Sequence, residues 1–538
     1  MSEGGEPRLK RWFGGKREPL RLTAIPRDHV VGDMLVGERL LGGRFLHGAR
    51  QVALNQVDFN AAPGGDPLLE RLHSFAWLRD LAAVAGREQA APLGEAITGH
   101  WLAGDERRGQ DVWNPVGWGE RILYWTAYAP FILSSSDAAY RARLVNRLAA
   151  AARFLDKQAD KAKPGLDRIT AWAGLTVASL TLSGGVARVA RAESGLLRAL
   201  AQGQHEDGGL KSRAPYEQVE LVDRLGLVRA AYFAARQSLP DPLEDGATSA
   251  LSALHGVLMP DGGLASWQGG NPGNPARIAA IIEGCGMRAR PLREARGWGY
   301  QRLSALGTIA QVDAARPPAN PFSDTSFAST LAFELADGAQ RLVMSCGGGA
   351  GSAGELDPGL ANALRASAAH STLILDNMNS TAMLDDGQPG KGVETVEFER
   401  GEDDGATRLT AGHDGYHRRA GLGHERRIAL GNDGKEIRGE DRLVPVGRRL
   451  KRKTLPFDIR FHLAPDIEVT QTADGLGALL RSSAAPPWQF RTRGARLRVE
   501  PSLVVDAHGA PRETQQLVIS DECGKEGAAV TWHFRRSS

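Results

Sequence analysis

The chain has 538 residues, more than one ordinary domain, and its 42% hydrophobic and 24% charged residues are those of a folded protein with a sizeable core. A net charge of +3 excludes the strong basic field of a nucleic-acid binder, and no run of about 18 apolar residues offers a membrane span. Three cysteines (Cys285, Cys346 and Cys523) form neither a disulfide framework nor a metal-ligand spacing.

The first 60 residues read as an extension, partly strand-like, that packs on one of the domains. Residues 1–22 are basic but carry no apolar stretch or small-residue cleavage site, so no standard signal peptide is expected. From about 66 to 290 the pattern is helical. Residues 68–83 form one apolar stripe. Residues 137–156 form another, with Tyr140, Leu144, Leu148, Ala152 and Leu155 at helical spacing. Residues 191–200 repeat the idea, as do 216–236 with Val219, Val222, Leu225, Val228, Tyr232 and Phe233. The tetrapeptide Asp-Gly-Gly-Leu occurs at 207–210 and again at 261–264, each after a helical segment, as in a helix–turn–helix repeat with an ornate loop.

After residue 297 short apolar runs take over, at 342–345, 372–376, 427–430, 459–463, 496–500, 516–519 and 529–534. The clearest hairpin is 427–444, which turns at Gly431-Asn432-Asp433-Gly434. The expected fold is therefore a multidomain α+β chain: an extension (1–60), a helical domain (61–294) and an antiparallel β-sandwich (295–538), with a site in the cleft between the last two.

The basic charge is carried by 55 Arg against 11 Lys. A GC-rich genome accounts for such a bias, and so do guanidiniums that grip carboxylates or sulfates in pairs. The basic run Arg448, Arg449, Lys451, Arg452, Lys453 reads as a solvated face, with anionic-surface contact as the alternative. The Gly-rich run 347–351 has no Lys-Ser/Thr after it, so it reads as a loop at the cleft rim and not a phosphate loop.

An ordered set of segments resembles the heparinase II/III-like polysaccharide lyase family, whose members join an incomplete (α/α) toroid to an antiparallel β-sandwich. These are 72–78 (LHSFAWL), 113–115 with 119–125 (WNP and GERILYW), 206–209 with 212–215 (EDGG and SRAP), 368–373 (AAHSTL), 413–416 with 424–427 (HDGY and HERR), and 439–441 (GED). The resemblance implies β-elimination on an acidic, uronate-containing glycan. That chemistry needs donors to neutralise the carboxylate, a base for the C5 proton and an acid for the departing oxygen.

The catalytic residues implied are His370, Tyr416 and Tyr216, with Arg121, Trp125, Asn114, His205 and Arg213 as substrate binders. Each has a structural alternative: a hydrogen-bonded strand-start His for His370, an interfacial aromatic for Tyr416, a core aromatic for Tyr216 and Trp125, and an ion pair for Arg121. The loop with Tyr216 departs from the relatives' pattern, with Gln218 where they have His. The relatives' Asn-His pair is missing from 170–175. A His of the zinc site that some relatives carry is Thr372 here, so no metal and no other cofactor is expected, although His413, His417 and His424 are neighbours. The runner-up function is a catalytically degenerate glycan-binding or envelope-assembly protein. A hydrolase using Glu206, Asp207, Glu217 or Glu220 is a third reading. The family's setting is the cell envelope or periplasm; the missing signal leaves the cytoplasm as the alternative.

Overall fold

The computed structural model describes residues 20–537 apart from 49, 60, 62–63, 105–112, 352–355, 404 and 448–453. The basic N-terminal stretch up to 19 and the run at 448–453 lie outside the described residues. The helical part runs α1 (Met34–Leu41), a hairpin β1 (Arg44–His47) and β2 (Arg50–Ala53), α2 (Pro67–Ser74), α3 (Trp77–Val84), α4 (Arg87–Gly104), α5 (Pro115–Ala127), α6 (Ala129–Ile132), α7 (Ala138–Gln158), α8 (Leu166–Thr181), α9 (Val186–Gly203), α10 (Pro215–Ala234), α11 (Asp241–Val257) and α12 (Pro275–Gly284).

The stripe over 137–156 is buried as α7 along Tyr140, Leu144, Leu148, Ala152 and Leu155. The stripe over 68–83 is not one helix. It breaks at Phe75, which takes φ 64° and splits it into α2 and α3. The turn is held because the Phe75 ring is driven into an aromatic core with Trp77, Trp101 and Trp125. Phe233, placed on the buried stripe of α10, is instead 85% exposed. Inner helix α8 is buried at every residue from Ile169 to Thr181.

The remainder is two antiparallel sheets. One runs in the order β13 (Glu468–Gln471), β14 (Gly477–Arg481), β15 (Trp488–Arg493), β18 (Ala528–Arg536), β11 (Glu436–Pro445), β10 (Leu422–Gly431), β9 (Ala406–His413), β8 (Val396–Glu402). The other runs β16 (Arg496–Val505), β17 (Pro511–Cys523), β12 (Leu455–Leu463), β6 (Gln340–Met344), β5 (Phe333–Asp337), β4 (Thr308–Asp313), β3 (Tyr300–Ala305), with β7 (Leu373–Leu375) on β12. The hairpin read from the sequence is β10–β11, with Ile428 opposite Gly439 and Leu430 opposite Ile437. Strand β10 alternates buried and partly exposed residues, as a sheet with one wet face does. Strands β4, β5 and β6 are buried at every position, because the other sheet covers one face and the helical domain the other.

The two Asp-Gly-Gly-Leu copies fold alike. His205 N–H donates to Gly209 O (2.8 Å) and Gly208 N–H to His205 O (3.0 Å); Met259 N–H donates to Gly263 O and Gly262 N–H to Met259 O at the same distances. Gly208 and Gly262 both take positive φ, 87° and 82°. Each copy also holds a later part of the chain. Asp207 accepts from the backbone N–H of Gly297 and Trp298 (both 2.9 Å), and Asp261 accepts from Arg341 of β6 at 2.6 and 3.0 Å.

Candidate functional site

The mouth of the toroid is assembled from helix N-termini. Asn114 caps α5 by accepting from Gly117 N–H (2.7 Å), and Gly165 opens α8 in a φ 102° conformation. Pro215 starts α10, with Tyr216 and Glu217 in its first turn. From the sandwich, the segment around 322–325 reaches across: Thr325 donates to Ser212 O (3.1 Å), Asp324 pairs with Lys163, and Phe322 lies against Gly165. The Gly-rich loop 347–351 closes on Tyr216, whose side chain lies 2.8 Å from where a Cβ on Gly351 would sit.

Carboxyls outnumber cations in this mouth: Glu217, Asp167 and Asp324 stand with Lys163, and Glu120 pairs with Arg224 at 2.9 Å. Burial raises the Glu217 carboxyl above its ordinary value, and Asp167 adds to the rise, while Ser212 donates to the carboxylate and opposes it. Burial, then Glu120, raises Asp167. Burial, then Glu120, also raises Glu70. Tyr216 is half-buried and its hydroxyl donates to Glu217 at 3.3 Å. Burial and the carboxylates of Glu217, Asp167 and Asp324 push that phenol well up. A tyrosine base needs a cation to lower its pKa; these neighbours act the other way, so Tyr216 is a proton-bearing donor here.

The other sequence-derived residues are held by contacts of their own. His370 precedes β7 as expected but is fully buried, with neither ring nitrogen hydrogen-bonded among the described residues. Its ring meets Phe327 edge-on at 5.8 Å, and Phe327 also packs against Gly269. Burial, with a smaller push from His462, takes its pKa down to about 3, which leaves a neutral imidazole. Tyr416 lies in the sandwich core, donates to Leu373 O (3.0 Å) and is pushed up by burial. Arg121 is buried and stacks on Trp118 (4.4 Å) and Trp101 (5.1 Å). Trp125 is fully buried, edge-on to Phe75, Trp101 and Trp118, so its ring offers no face to a sugar. His205 is half-buried, and burial takes its pKa down to about 4.

Arg213 is a clamp between the domains. It donates to Trp298 O (2.8 Å), Arg316 O (2.9 Å) and the Asp313 carboxylate of β4. Of the two accounts of the Arg excess, internal pairing is visible repeatedly: Arg79 with Asp28 and Asp223, Arg224 with Glu120 and Glu220, Arg341 with Asp261, and Arg426 with Asp441.

Arg426 also bears on the sandwich metal. His424 meets Asp441 at 2.8 Å and His413 at 3.3 Å, but Arg426 contacts both oxygens of Asp441 (2.7 and 3.0 Å), and Trp532 donates to the second (2.8 Å). A fixed guanidinium stands against the carboxylate a metal would need, so this set does not fit one. Among the described residues, the one convergent group of ligand atoms is Asp28, His29 and Asp223, and Arg79 bonds both of its carboxylates.

Sequence reasoning does not single out Glu120, Asp167 and Glu217 together. They come from three helices 47 to 97 positions apart, so no local spacing announces them.

A helical toroid joined through buried clamps to a two-sheet sandwich defines the polysaccharide-lyase architecture, and the comparisons agree. The chain belongs to the heparinase II/III-like family: residues 287–533 match the family model for the heparinase II/III-like C-terminal domain. FtsZ-localized protein C of Caulobacter vibrioides is 32% identical over 488 residues, covering 87% of this chain and 81% of that protein. The structure is similar to that of heparinase III (TM-score 0.70, 13% identity, 94% of this chain and 84% of that one). It is also similar to the heparan sulfate lyase of Pedobacter heparinus (TM-score 0.61, 15% identity, 93% and 82%). Chondroitin AC lyase of Streptomyces coelicolor is more distant, with TM-score 0.51 and 12% identity over 89% and 76%. No helix among the described residues is long and apolar enough to cross a membrane.

Proposed function

We propose that this protein is a binding member of the lyase fold, without β-elimination activity, that takes a neutral or amino-bearing glycan in the toroid mouth and serves envelope assembly where the cell divides. The observation that carries the reading is the carboxyl lining of the mouth, Asp167 and Glu217; Lys163 there is paired with Asp324, and Glu120 with Arg224, so among the described residues no unpaired cation stands beside them to neutralise a uronate. The burial of His370 and Tyr416 and the aromatic packing of Arg121 support it, since each is remote from solvent. The division setting is suggested by the 32% identical FtsZ-localized relative. Cleavage of an acidic glycan is the rival reading, favoured by the half-buried Tyr216 beside a carboxyl whose proton is retained above its ordinary pH.

The deciding experiment incubates purified protein with a panel of uronate and neutral glycans. The expected result is retention of neutral or amino-bearing polymers with no ultraviolet band of unsaturated product, while a lyase control responds. Product from any uronate polymer, lost in Tyr216→Phe, overturns the proposal in favour of the lyase. A fluorescent fusion spread evenly through dividing cells removes the division-site part.

A further inference from the structure

A second concavity lies far from the mouth. Asp167 opens α8 at the mouth, and α8 carries the chain about 24 Å along its 16 residues to the turn at 182–185. There Leu182, Ser183, Gly184 and Arg188 meet Ala149 and Arg153 of α7 and Leu20, where the described chain begins, around a cavity of about 660 Å³. The strap beyond Leu20 is fixed to this turn: Arg21 N–H donates to Ser183 Oγ (3.0 Å) and Ser183 N–H to Arg21 O (2.9 Å).

Three observations give this cavity a positive character that no carboxylate among its described lining residues balances. Arg153 and Arg188 make no side-chain hydrogen bond or ion pair among the described residues, whereas Arg191, one turn beyond Arg188, pairs with Asp156 at 2.7 Å. The Nε of Arg188 is shielded from solvent and has no acceptor among those residues. A shielded donor left unbonded is unfavourable, so an acceptor belongs beside it. Helix α9, 18 residues long, starts after Gly184-Gly185 with no side-chain cap and no acidic residue in its first turn, so its positive dipole end lies beside the cavity with no carboxylate of its own to offset it, although the Arg188 N–H is already bonded to Gly185 O (2.8 Å). The walls are partly apolar, through Leu20, Ala149 and Leu182, and the volume exceeds that of a bare oxyanion.

We propose that the pocket between α7 and the α8–α9 turn binds a phosphate-bearing organic ligand, with Arg153 and Arg188 holding the phosphate and the apolar wall meeting its substituent. Paired guanidiniums with glycines at a helix start suit the several oxygens of a phosphoester. The source is a soluble phosphoester or the headgroup of a phospholipid; the chemistry recognised is the same. The proposal is independent of what the mouth binds.

The test uses the full chain. Binding of glycerol 3-phosphate and of inorganic phosphate is followed by calorimetry against sulfate-free chloride at matched ionic strength. Binding to vesicles of phosphatidylglycerol is compared with phosphatidylcholine by sedimentation. Saturable binding to the soluble esters assigns a soluble ligand; binding to phosphatidylglycerol vesicles alone assigns a headgroup. Arg153→Met and Arg188→Met should each weaken binding about 10-fold, and Arg191→Met should leave it unchanged. Because neither guanidinium has a partner among the described residues, both variants should melt within a degree or two of the parent, which separates lost binding from lost folding. Absence of saturable binding to every phosphate probe, or undiminished binding in the double variant Arg153→Met/Arg188→Met, overturns the proposal.

Discussion

Replacement of Arg213 by Met keeps most of the side-chain stem and removes three donors at once. Asp313, fully buried, would keep only Ser329 Oγ (2.6 Å) and Gln268 Nε2 (3.3 Å) and would hold an uncompensated charge. Breaking a buried ion pair from one side costs about 3–5 kcal/mol. Leaving the Trp298 and Arg316 carbonyls without donors adds to this, about 1 kcal/mol or more where water cannot reach them. The expected loss is about 4 kcal/mol. It is read from urea unfolding followed by tryptophan fluorescence, since Trp298 sits on the clamp. Asp313→Asn should cost less than Arg213→Met, and the double variant should be well short of the sum, giving a coupling of about 2 kcal/mol. A change below about 1 kcal/mol with lost glycan retention would refute the clamp and restore Arg213 as a ligand-binding residue.

Glu334 is fully buried at the domain interface, where burial, opposed by Arg341, raises its carboxyl to about 7 from 4.5. Between those pH values the folded state holds the proton that the unfolded state has released, so Glu334 removes stability as pH rises, about 3 kcal/mol in all. The stability of the parent relative to Glu334→Gln should thus fall from pH 5 to pH 7.5, and a difference that stays flat, measured by denaturation at each pH, contradicts this. Gly208→Ala should destabilise more than Gly262→Ala, about 3 against about 1 kcal/mol by thermal or urea unfolding. Both face the positive-φ penalty, but a Cβ at 208 would also meet the Ser249 backbone at 2.3 Å, against 3.3 Å to Pro275 Cβ at 262. Equal losses would show that the repeat's two environments are equivalent. Asp441→Asn should cost about 3 kcal/mol by leaving Arg426 unbalanced, while a chelator leaves the melting temperature of the parent unchanged; a drop with chelator would mean that a metal is held after all.

What the sequence makes legible depends on how local its cause is. The β10–β11 hairpin is written in adjacent residues, two β-type runs around a Gly-Asn-Asp-Gly turn, and α7 in the spacing of its own apolar positions. The break at Phe75 is invisible because a left-handed phenylalanine is sustained by three tryptophans, two of them 26 and 50 positions away. A histidine before a strand looks the same whether it lines a cleft or lies under Phe327, so His370 carries no sign of its burial. The Asp-Gly-Gly-Leu echo is readable, but its use is not: Arg341, which grips the second copy, lies 80 residues beyond Asp261.

The two sides of the domain junction differ in what holds them. On one side Arg213 and Arg341 are sealed from water and anchored by several acceptors each. Across the mouth, the Lys163–Asp324 pair stands in solvent, where such a contact is worth about 1 kcal/mol or less. A load that pulls the domains apart therefore breaks the Lys163–Asp324 pair well before the buried arginine clamps, and Thr325 on Ser212 with Phe322 on Gly165 is what then keeps the lip in place.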